Sequence, residues 1–116
     1  VYFRKVKISG DGVKPLVLSE FGGKTYKAEG HIFNPEKSYG YGGCDSLENL
    51  NKAVAALYMD EVVPCVKKGL CGAIYTQVSD VEDEINGFLT YDRAVCKGDV
   101  PSMVAIAQEL QKELEE

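Results

Sequence analysis

The sequence predicts an α/β fold built around one strand–helix–strand unit. Two apolar segments have the composition of strands, and the stretch between them has the three- and four-residue apolar spacing of an amphipathic helix. A connection of this kind is almost always right-handed, and it makes the two strands parallel. The 116 residues are enough for one ordinary domain and contain no internal repeat.

The first strand is expected at residues 15–20. Its apolar run, LVL, follows a proline and is typical of a strand that is buried on both faces of a parallel sheet. The run ends at Glu20, with Phe21 and the pair Gly22-Gly23 directly after it. Residues 1–8 are rich in β-branched and aromatic side chains, which predicts a strand or an extended segment, and their charges indicate an edge.

A long connection and a helix follow the first strand. Residues 22–45 are rich in glycine and aromatic residues without periodicity, which predicts an irregular loop of a length that is usually functional or disordered. Residues 46–68 then show helical apolar spacing, with Asp45 or Ser46 as the N-cap. Pro64 is expected to kink this helix.

The second strand is expected at residues 71–78, and a final amphipathic helix at residues 101–114. Between them lies DVEDEINGFLTYDRAV, in which Asn86-Gly87 indicates a tight turn and Asp92-Arg93 indicates an ion pair or a cap. In parallel sheets, ligands bind beyond the carboxyl ends of the strands, where the loops converge. Site residues are therefore expected just after each strand.

Composition and charge exclude several classes of function. The formal net charge is −5 and the acidic residues are spread along the chain, so there is no basic face for nucleic acid. No apolar run approaches the roughly 20 residues that a membrane helix needs, so no membrane partner is expected.

The four cysteines form no CxxC pair and His31 is the only histidine, which argues against a zinc site. No metal or cofactor is expected. Cysteines in apolar contexts favour a reduced, cytoplasmic chain, although secretion of the full-length protein stays open.

Glu20 is the first candidate for chemistry. An ionised carboxylate between Leu18 and Phe21 loses hydration, so it must be paired, protonated or catalytic. From position alone, a strand-end glutamate that pairs with an arginine or a backbone amide is the commoner case. The pair Gly22-Gly23 favours a functional role, because it lets the chain turn sharply and a ligand approach the backbone.

Two motifs follow one another in this chain, VLSEFGG at residues 17–23 and GAIYTQVSDVEDEINGFLTYDR at residues 72–93. Together they resemble the catalytic barrel of glycoside hydrolase family 2, which includes the β-galactosidases and β-glucuronidases. In that family the seventh strand ends in Glu-aromatic-Gly, and Gly-hydrophobic-hydrophobic-Thr-x-Asp-Arg follows the eighth. The resemblance covers most of residues 15–98 and implies the C-terminal portion, about the last two βα units, of a (β/α)8 barrel.

The resemblance implies that Glu20 is the nucleophile of a retaining β-glycosidase. Such an enzyme needs a second carboxylate, about 5 to 5.5 Å away, to protonate the leaving oxygen. In the family this glutamate follows an asparagine on the fourth strand, and no Asn-Glu dipeptide occurs in the 116 residues. Residues 1–116 are therefore expected to be a single fragment of a catalytic barrel, with the acid/base residue outside it and no activity of its own.

The resemblance also implies a substrate class and the residues that hold it. Members that cleave glucuronides carry a lysine where this chain has Asn86, so a neutral sugar and β-galactosidase-like activity are expected. Many members place a tryptophan late on the eighth strand, whereas this chain has no tryptophan and carries Tyr75 and Gln77 there. Asp80 and Glu82 would bind sugar hydroxyls, although a solvated acidic turn is an equal alternative for Glu82.

The aromatic residues of the long loop have two interpretations. Tyr26, Phe33, Tyr39 and Tyr41 would either stack on sugar faces or, as the stronger interpretation, fold back to close the barrel mouth. His31 has neither a nucleophile nor an orienting carboxylate at a recognisable spacing, so no catalytic triad is expected.

Two further expectations concern the chain as a whole. Two parallel strands cannot close a barrel and leave edges without partners, so the fragment is expected to self-associate. A carbohydrate is the expected ligand. A function of another class stays open, namely a non-catalytic carbohydrate-binding or interaction module derived from the barrel.

Overall fold

The computed structural model of the protein describes residues 1–115. They contain two parallel strands and three helices, joined by long irregular segments. In chain order the elements are β1 (Leu16–Gly22), α1 (Leu47–Leu57), α2 (Val63–Val66), β2 (Leu70–Thr76) and α3 (Val100–Glu115). A π-helical segment, Tyr58–Val62, joins α1 to α2 into one helical stretch between the strands. The predicted α/β class is therefore confirmed.

The two strands pair in parallel with one irregularity that matters for the site. Leu18 lies opposite Ala73 and Phe21 lies opposite Tyr75, so β1 has one residue more than β2 in this interval. The resulting bulge consists of Ser19 and Glu20. A bulge turns the side chains of a strand to new directions, and bulges are frequent next to functional sites.

The helical stretch between the strands begins, and changes to π-helical geometry, at identifiable residues. Ser46 rather than Asp45 is the N-cap of α1, because its hydroxyl accepts the Asn49 N–H at 3.0 Å. The π-helical segment Tyr58–Val62 ends two residues before Pro64. A proline lacks the N–H of a regular helical turn and its ring crowds the turn before it, which accounts for the irregularity here.

The core lies between the sheet and the helices. Buried apolar side chains form one cluster beneath the sheet (Val6, Leu18, Phe21, Val62, Cys65, Leu70) and another between α1 and α3 (Leu50, Val54, Ile106). The helices cover only one face of the sheet, because Val17 and Ile74 on the strands are 56% and 58% exposed. Hydrophobic burial on one side therefore stabilises the strand pair, and the other face meets solvent.

The segments outside these elements are held by specific contacts. Residues 1–8 form no strand, but Val6 is buried in the core and its N–H donates to a Glu61 carboxylate oxygen at 2.9 Å. The long connection after β1 is ordered by backbone bonds, including a bridge between Thr25 and Gly43. Within residues 1–115, no helix combines the length and the apolar character that crossing a membrane requires.

Candidate functional site

Glu20 lies at the carboxyl end of β1 with its side chain exposed to solvent. The Tyr2 hydroxyl faces two side chains, because the Glu20 carboxylate raises the pKa of Tyr2 and the Thr76 hydroxyl lowers it. Thr76 ends β2, so the parallel pairing brings the ends of both strands to the same place. We call Glu20, Tyr2 and Thr76 the strand-end cluster.

Tyr2 is the residue that sequence reasoning missed. Its burial, together with the charge of the adjacent Glu20, raises the pKa of Tyr2 to about 12. The phenol therefore stays protonated at neutral pH and can donate a hydrogen bond to the carboxylate. The only signal in the sequence was an aromatic residue in a charged extended segment, and nothing local to it indicates a contact with β1.

Tyrosine rings fill the space opened by Gly22-Gly23. Both glycines have positive φ, +97° and +70°. A Cβ on Gly22 would lie 2.4 Å from the Tyr75 ring, and a Cβ on Gly23 would lie 2.7 Å from the Tyr41 ring. The glycines are thus needed for the turn and for close ring packing. The approach of a ligand to the backbone at these glycines stays a prediction.

Tyr41 brings the long loop to the strand-end cluster. Its ring stacks on the Tyr2 ring with centroids 4.0 Å apart and an angle of 14° between the planes. The Tyr41 N–H also donates to the Gly23 carbonyl at 2.8 Å, which holds the loop against the end of β1. One side of the cluster is therefore an aromatic wall formed by Tyr2 and Tyr41.

Tyr75 is partly buried and packs against both apolar clusters. Its ring contacts Phe21 at 5.5 Å and stacks on Phe88 at 4.6 Å between ring centroids. Burial raises the pKa of Tyr75 above its ordinary value. The ring joins the two apolar clusters, so its position is that of a packing residue.

Gln77 and Asn86 bind each other and continue into a longer network. The Gln77 side-chain amide donates to the Asn86 side-chain oxygen at 2.6 Å, and the Asn86 amide donates to Glu84 at 3.0 Å. Glu84 in turn accepts from the Tyr39 hydroxyl at 3.4 Å. Asn86 is fully buried, so this network connects the end of β2 to the long loop.

Asp80 is a buried partner of Lys97. The Lys97 Nζ lies 2.8 Å and 2.9 Å from the two Asp80 carboxylate oxygens, and it also donates to the carbonyls of Tyr26 and Ile85, each at 3.0 Å. One Asp80 oxygen accepts the Gly87 N–H as well. Glu82 differs from Asp80, because it is exposed and stands at the tip of a two-residue turn with a φ of +50°.

His31 does have a carboxylate partner, which corrects the expectation from sequence spacing. The His31 Nδ1 lies 2.8 Å from Asp92. Asp92 also accepts from the Thr90 hydroxyl at 2.5 Å and from the Ala94 N–H at 3.0 Å, and these bonds, with Thr90 the strongest, hold the pKa of Asp92 well below its usual range. Asp92 caps its own turn and fixes the long loop through His31.

The structure therefore separates the predicted site residues. Glu20 stands in the strand-end cluster, Gln77 and Asn86 form a network of their own, and Asp80 is paired in the interior. In the part of the chain that the structure describes, no three His, Cys, Asp or Glu side chains are placed to hold a metal ion.

Comparison with known proteins assigns no family to the chain. No protein-family model matches it, and no curated protein matches it either. The fold and the strand-end cluster define a small α/β unit with an exposed carboxylate where two parallel strands end. Support for a particular function comes from this geometry and from the two sequence motifs.

Proposed function

We propose that this chain is the nucleophile-bearing C-terminal portion of a (β/α)8 glycosidase barrel. The full-length protein would hydrolyse neutral β-glycosides with retention, as a β-galactosidase-like enzyme. The observation that carries the proposal is the Glu20 carboxylate, exposed on a bulge at the end of β1 and faced by Tyr2 beside the end of β2. Active sites of such barrels lie at the carboxyl ends of the strands.

The proposed reaction has two steps. Glu20 attacks the anomeric carbon, the glycosidic bond breaks, and the leaving oxygen takes a proton from a general acid, so that a glycosyl ester forms on Glu20. Water then attacks the same carbon and releases Glu20, with the former acid acting as base. In this proposal the acid/base glutamate belongs to the full-length protein outside these residues, and the 116-residue chain is inactive alone.

Tyr2 has a definite part in this mechanism. A protonated phenol that donates to Glu20 orients the carboxylate before attack and stabilises it when it leaves in the second step. Thr76, which also faces the Tyr2 hydroxyl, holds the phenol in this role. Tyr2 is thus a positioning residue in the proposal, and Glu20 is the catalytic one.

The side chains after β2 support a neutral substrate. Glucuronide-cleaving members of the family that this chain resembles carry a lysine where this chain has Asn86. Here the Asn86 side chain is hydrogen-bonded to Gln77 and Glu84. Lys97 is nearby in the chain, but its charge is paired with Asp80 in the interior. Neither position therefore offers a free cation to a uronic acid.

One observation favours the alternative of a non-catalytic carbohydrate-binding module. Tyr75, Gln77, Asp80 and Asn86 are all used in contacts within the protein, so that few of the predicted sugar ligands remain beside Glu20. Covalent labelling separates the two functions. A mechanism-based fluorosugar that reacts with Glu20 requires a nucleophile, whereas a binding module would take up the sugar without forming a bond.

We further propose a cytoplasmic location. Cys44, Cys65, Cys71 and Cys96 are all free thiols, two of them exposed. Free exposed thiols persist in reducing compartments and are rare in secreted proteins.

A further inference from the structure

A cleft of about 460 Å³ lies between the N-terminal segment, the turn after β1 and the helical stretch. Residues 1–5 form one side of it, Gly22 and Lys24 border it from the turn, and Leu57 and Glu61 border it from the helices. Its volume is within the usual range for small-molecule sites. We call this space the N-terminal cleft.

The N-terminal cleft collects positive charge. Arg4, Lys5 and Lys24 border it, and among the bordering residues that the structure describes Glu61 is the only acidic one. Three cationic side chains and one anionic side chain give a net charge of +2, although the whole chain has a formal charge of −5. A concave surface with an excess of one sign of charge attracts ligands of the opposite sign.

The three cations are available to a ligand. The side chains of Arg4, Lys5 and Lys24 make no hydrogen bond or ion pair within residues 1–115. The Glu61 carboxylate, in contrast, accepts the Val6 N–H at 2.9 Å, so its charge is partly engaged by the backbone. Hydrogen bonds between cationic side chains and an anionic ligand are among the strong ones in proteins.

Contacts on either side of Arg4 and Lys5 hold the N-terminal segment in place. The Tyr2 ring before them stacks on the Tyr41 ring, with centroids 4.0 Å apart. Val6 after them is buried in the core, with 5% of its surface exposed. This side of the N-terminal cleft is therefore formed before any ligand binds, which lowers the entropy cost of binding.

The Lys24 side chain is positioned by the backbone of the long connection. A Cβ on Gly42 would lie 3.2 Å from the Lys24 Cδ and 3.3 Å from its Nζ, so the lysine stem lies against a glycine. Lys24 is half-buried as a result, whereas Arg4 and Lys5 are exposed. A cation with a restricted position loses less conformational freedom when it binds an anion.

The remaining side chains indicate what the anion is attached to. The rings of Tyr2 and Phe3 and the Leu57 side chain border the same space and offer apolar surface beside the cations. A phosphate monoester carries close to two negative charges at neutral pH, which matches the net charge of +2. The guanidinium of Arg4 can bind two phosphate oxygens at once.

We propose that the N-terminal cleft binds the phosphate monoester of a small organic molecule. Arg4, Lys5 and Lys24 bind the phosphate, and the organic group packs against Tyr2 and Phe3. This site goes beyond the proposed glycosidase and does not rest on it, because neither Glu20 nor Thr76 borders the N-terminal cleft.

Titration of the ¹⁵N-labelled chain with phenyl phosphate at constant ionic strength tests the proposal by amide shifts. Phenyl phosphate should move the amides of residues 4, 5, 22 and 24 to saturation. Inorganic phosphate should move the same amides but bind more weakly, because it lacks the ring. Benzoate has the ring but only one negative charge, and it should bind at least about 5-fold more weakly than phenyl phosphate.

Substitution of single cations separates the N-terminal cleft from general surface charge. Arg4→Gln and Lys24→Gln should each weaken phenyl phosphate binding at least about 5-fold. The matched controls are Lys7→Gln and Lys27→Gln, which remove the same charge from exposed positions nearby that do not border the cleft. Each control should stay within about 2-fold of the parent affinity, since salt screens exposed charges that do not touch the ligand.

Glu61→Gln gives a change of the opposite sign. The variant keeps a side-chain oxygen for the Val6 N–H but removes the negative charge from the N-terminal cleft, so phenyl phosphate should bind at least about 2-fold more tightly. Unperturbed amide spectra show that the variants fold. The proposal is overturned if phenyl phosphate leaves the four amides unmoved, if benzoate binds as tightly, or if the lysine controls weaken binding as much as Arg4→Gln.

Discussion

The Lys97 ammonium and the Asp80 carboxylate form an ion pair in the interior, with Nζ 2.8 Å from the nearer oxygen. The pair ties the segment after β2 to the segment before α3. The same ammonium holds the carbonyl of Tyr26, and thereby the long connection after β1. Three irregular segments thus depend on one buried charge, whose desolvation is offset by hydrogen bonds to four oxygens.

Lys97→Met should destabilise the protein by about 3–5 kcal/mol, because it leaves the Asp80 carboxylate buried without its cation. Urea unfolding followed by circular dichroism measures the change as a lower midpoint. The matched control is Lys37→Met, since Lys37 is exposed and lies 3.9 Å from Asp83. An exposed pair of this kind contributes at most about 1 kcal/mol. Equal unfolding midpoints for the two variants would show that the buried ion pair contributes no more to stability than the exposed one.

Tyr2 should ionise near pH 12 in the folded chain, above its ordinary value of 10.0. Because the folded state holds this proton more tightly than the unfolded state, the stabilisation is present below pH 10 and is lost as the pH rises through the folded pKa. NMR titration of ¹³Cζ-labelled tyrosine reports the value directly. Glu20→Gln should lower the pKa of Tyr2 only in part, since burial remains the largest cause. A Tyr2 pKa that is the same with and without the Glu20 carboxylate would contradict the contact between them.

The chain should self-associate at micromolar concentration. Within residues 1–115 the sheet has only two strands, and its open face carries Val17 and Ile74. Pairing of such edges between copies would restore hydrogen bonds and bury the apolar face. Sedimentation velocity should show a dimer or larger species that Ile74→Lys converts to monomer. Val104→Lys, on the exposed side of α3, should leave the assembly intact. A compact wild-type monomer would contradict this prediction.

The full-length protein, as the proposed β-glycosidase, should prefer neutral sugars. Aryl β-glucoside and aryl β-glucuronide differ only at the sixth carbon, so the ratio of their kcat/KM values isolates the effect of the sugar carboxylate. With Asn86 bonded to Gln77 and Glu84, a uronic acid finds no cation there, and we expect the neutral member of the pair to be favoured at least about 10-fold. The same comparison applies to galactoside and galacturonide. A higher kcat/KM on either uronide would overturn the assignment of Asn86.

Local patterns were sufficient for the elements of the fold. The helix between the strands could be predicted because its apolar spacing and the Ser46 cap are properties of neighbouring residues. The apolar run of β1 predicted a strand for the same reason. The bulge at Glu20 could not be predicted, since no residue type in LVLSEFG marks it. The bulge depends on how β1 pairs with β2, which is a tertiary property.

The site was harder to predict because its contacts are distant in sequence. Asp80 and Lys97 are 17 residues apart, and His31 and Asp92 are 61 apart, so no local pattern connects them. Tyr75 looked like a sugar-binding aromatic because it stands late on its strand. Register and packing instead place its ring against Phe88 in the core. Glu20 was singled out because a carboxylate at the end of an apolar run was expected to lose hydration. That expectation is wrong, since the side chain of Glu20 is exposed to solvent.

Covalent labelling of Glu20 tests the central claim most directly. The full-length protein would be treated with a 2-deoxy-2-fluoro-β-galactosyl fluoride, digested, and analysed by mass spectrometry. The label is predicted on the peptide that contains Glu20, and Glu20→Gln should abolish labelling and lower turnover at least about 1,000-fold while the protein stays folded, because amide and acid are close isosteres. Glu48→Gln, at an exposed carboxylate on α1, should change neither. A label on any other carboxylate, or full turnover by Glu20→Gln, would contradict the account.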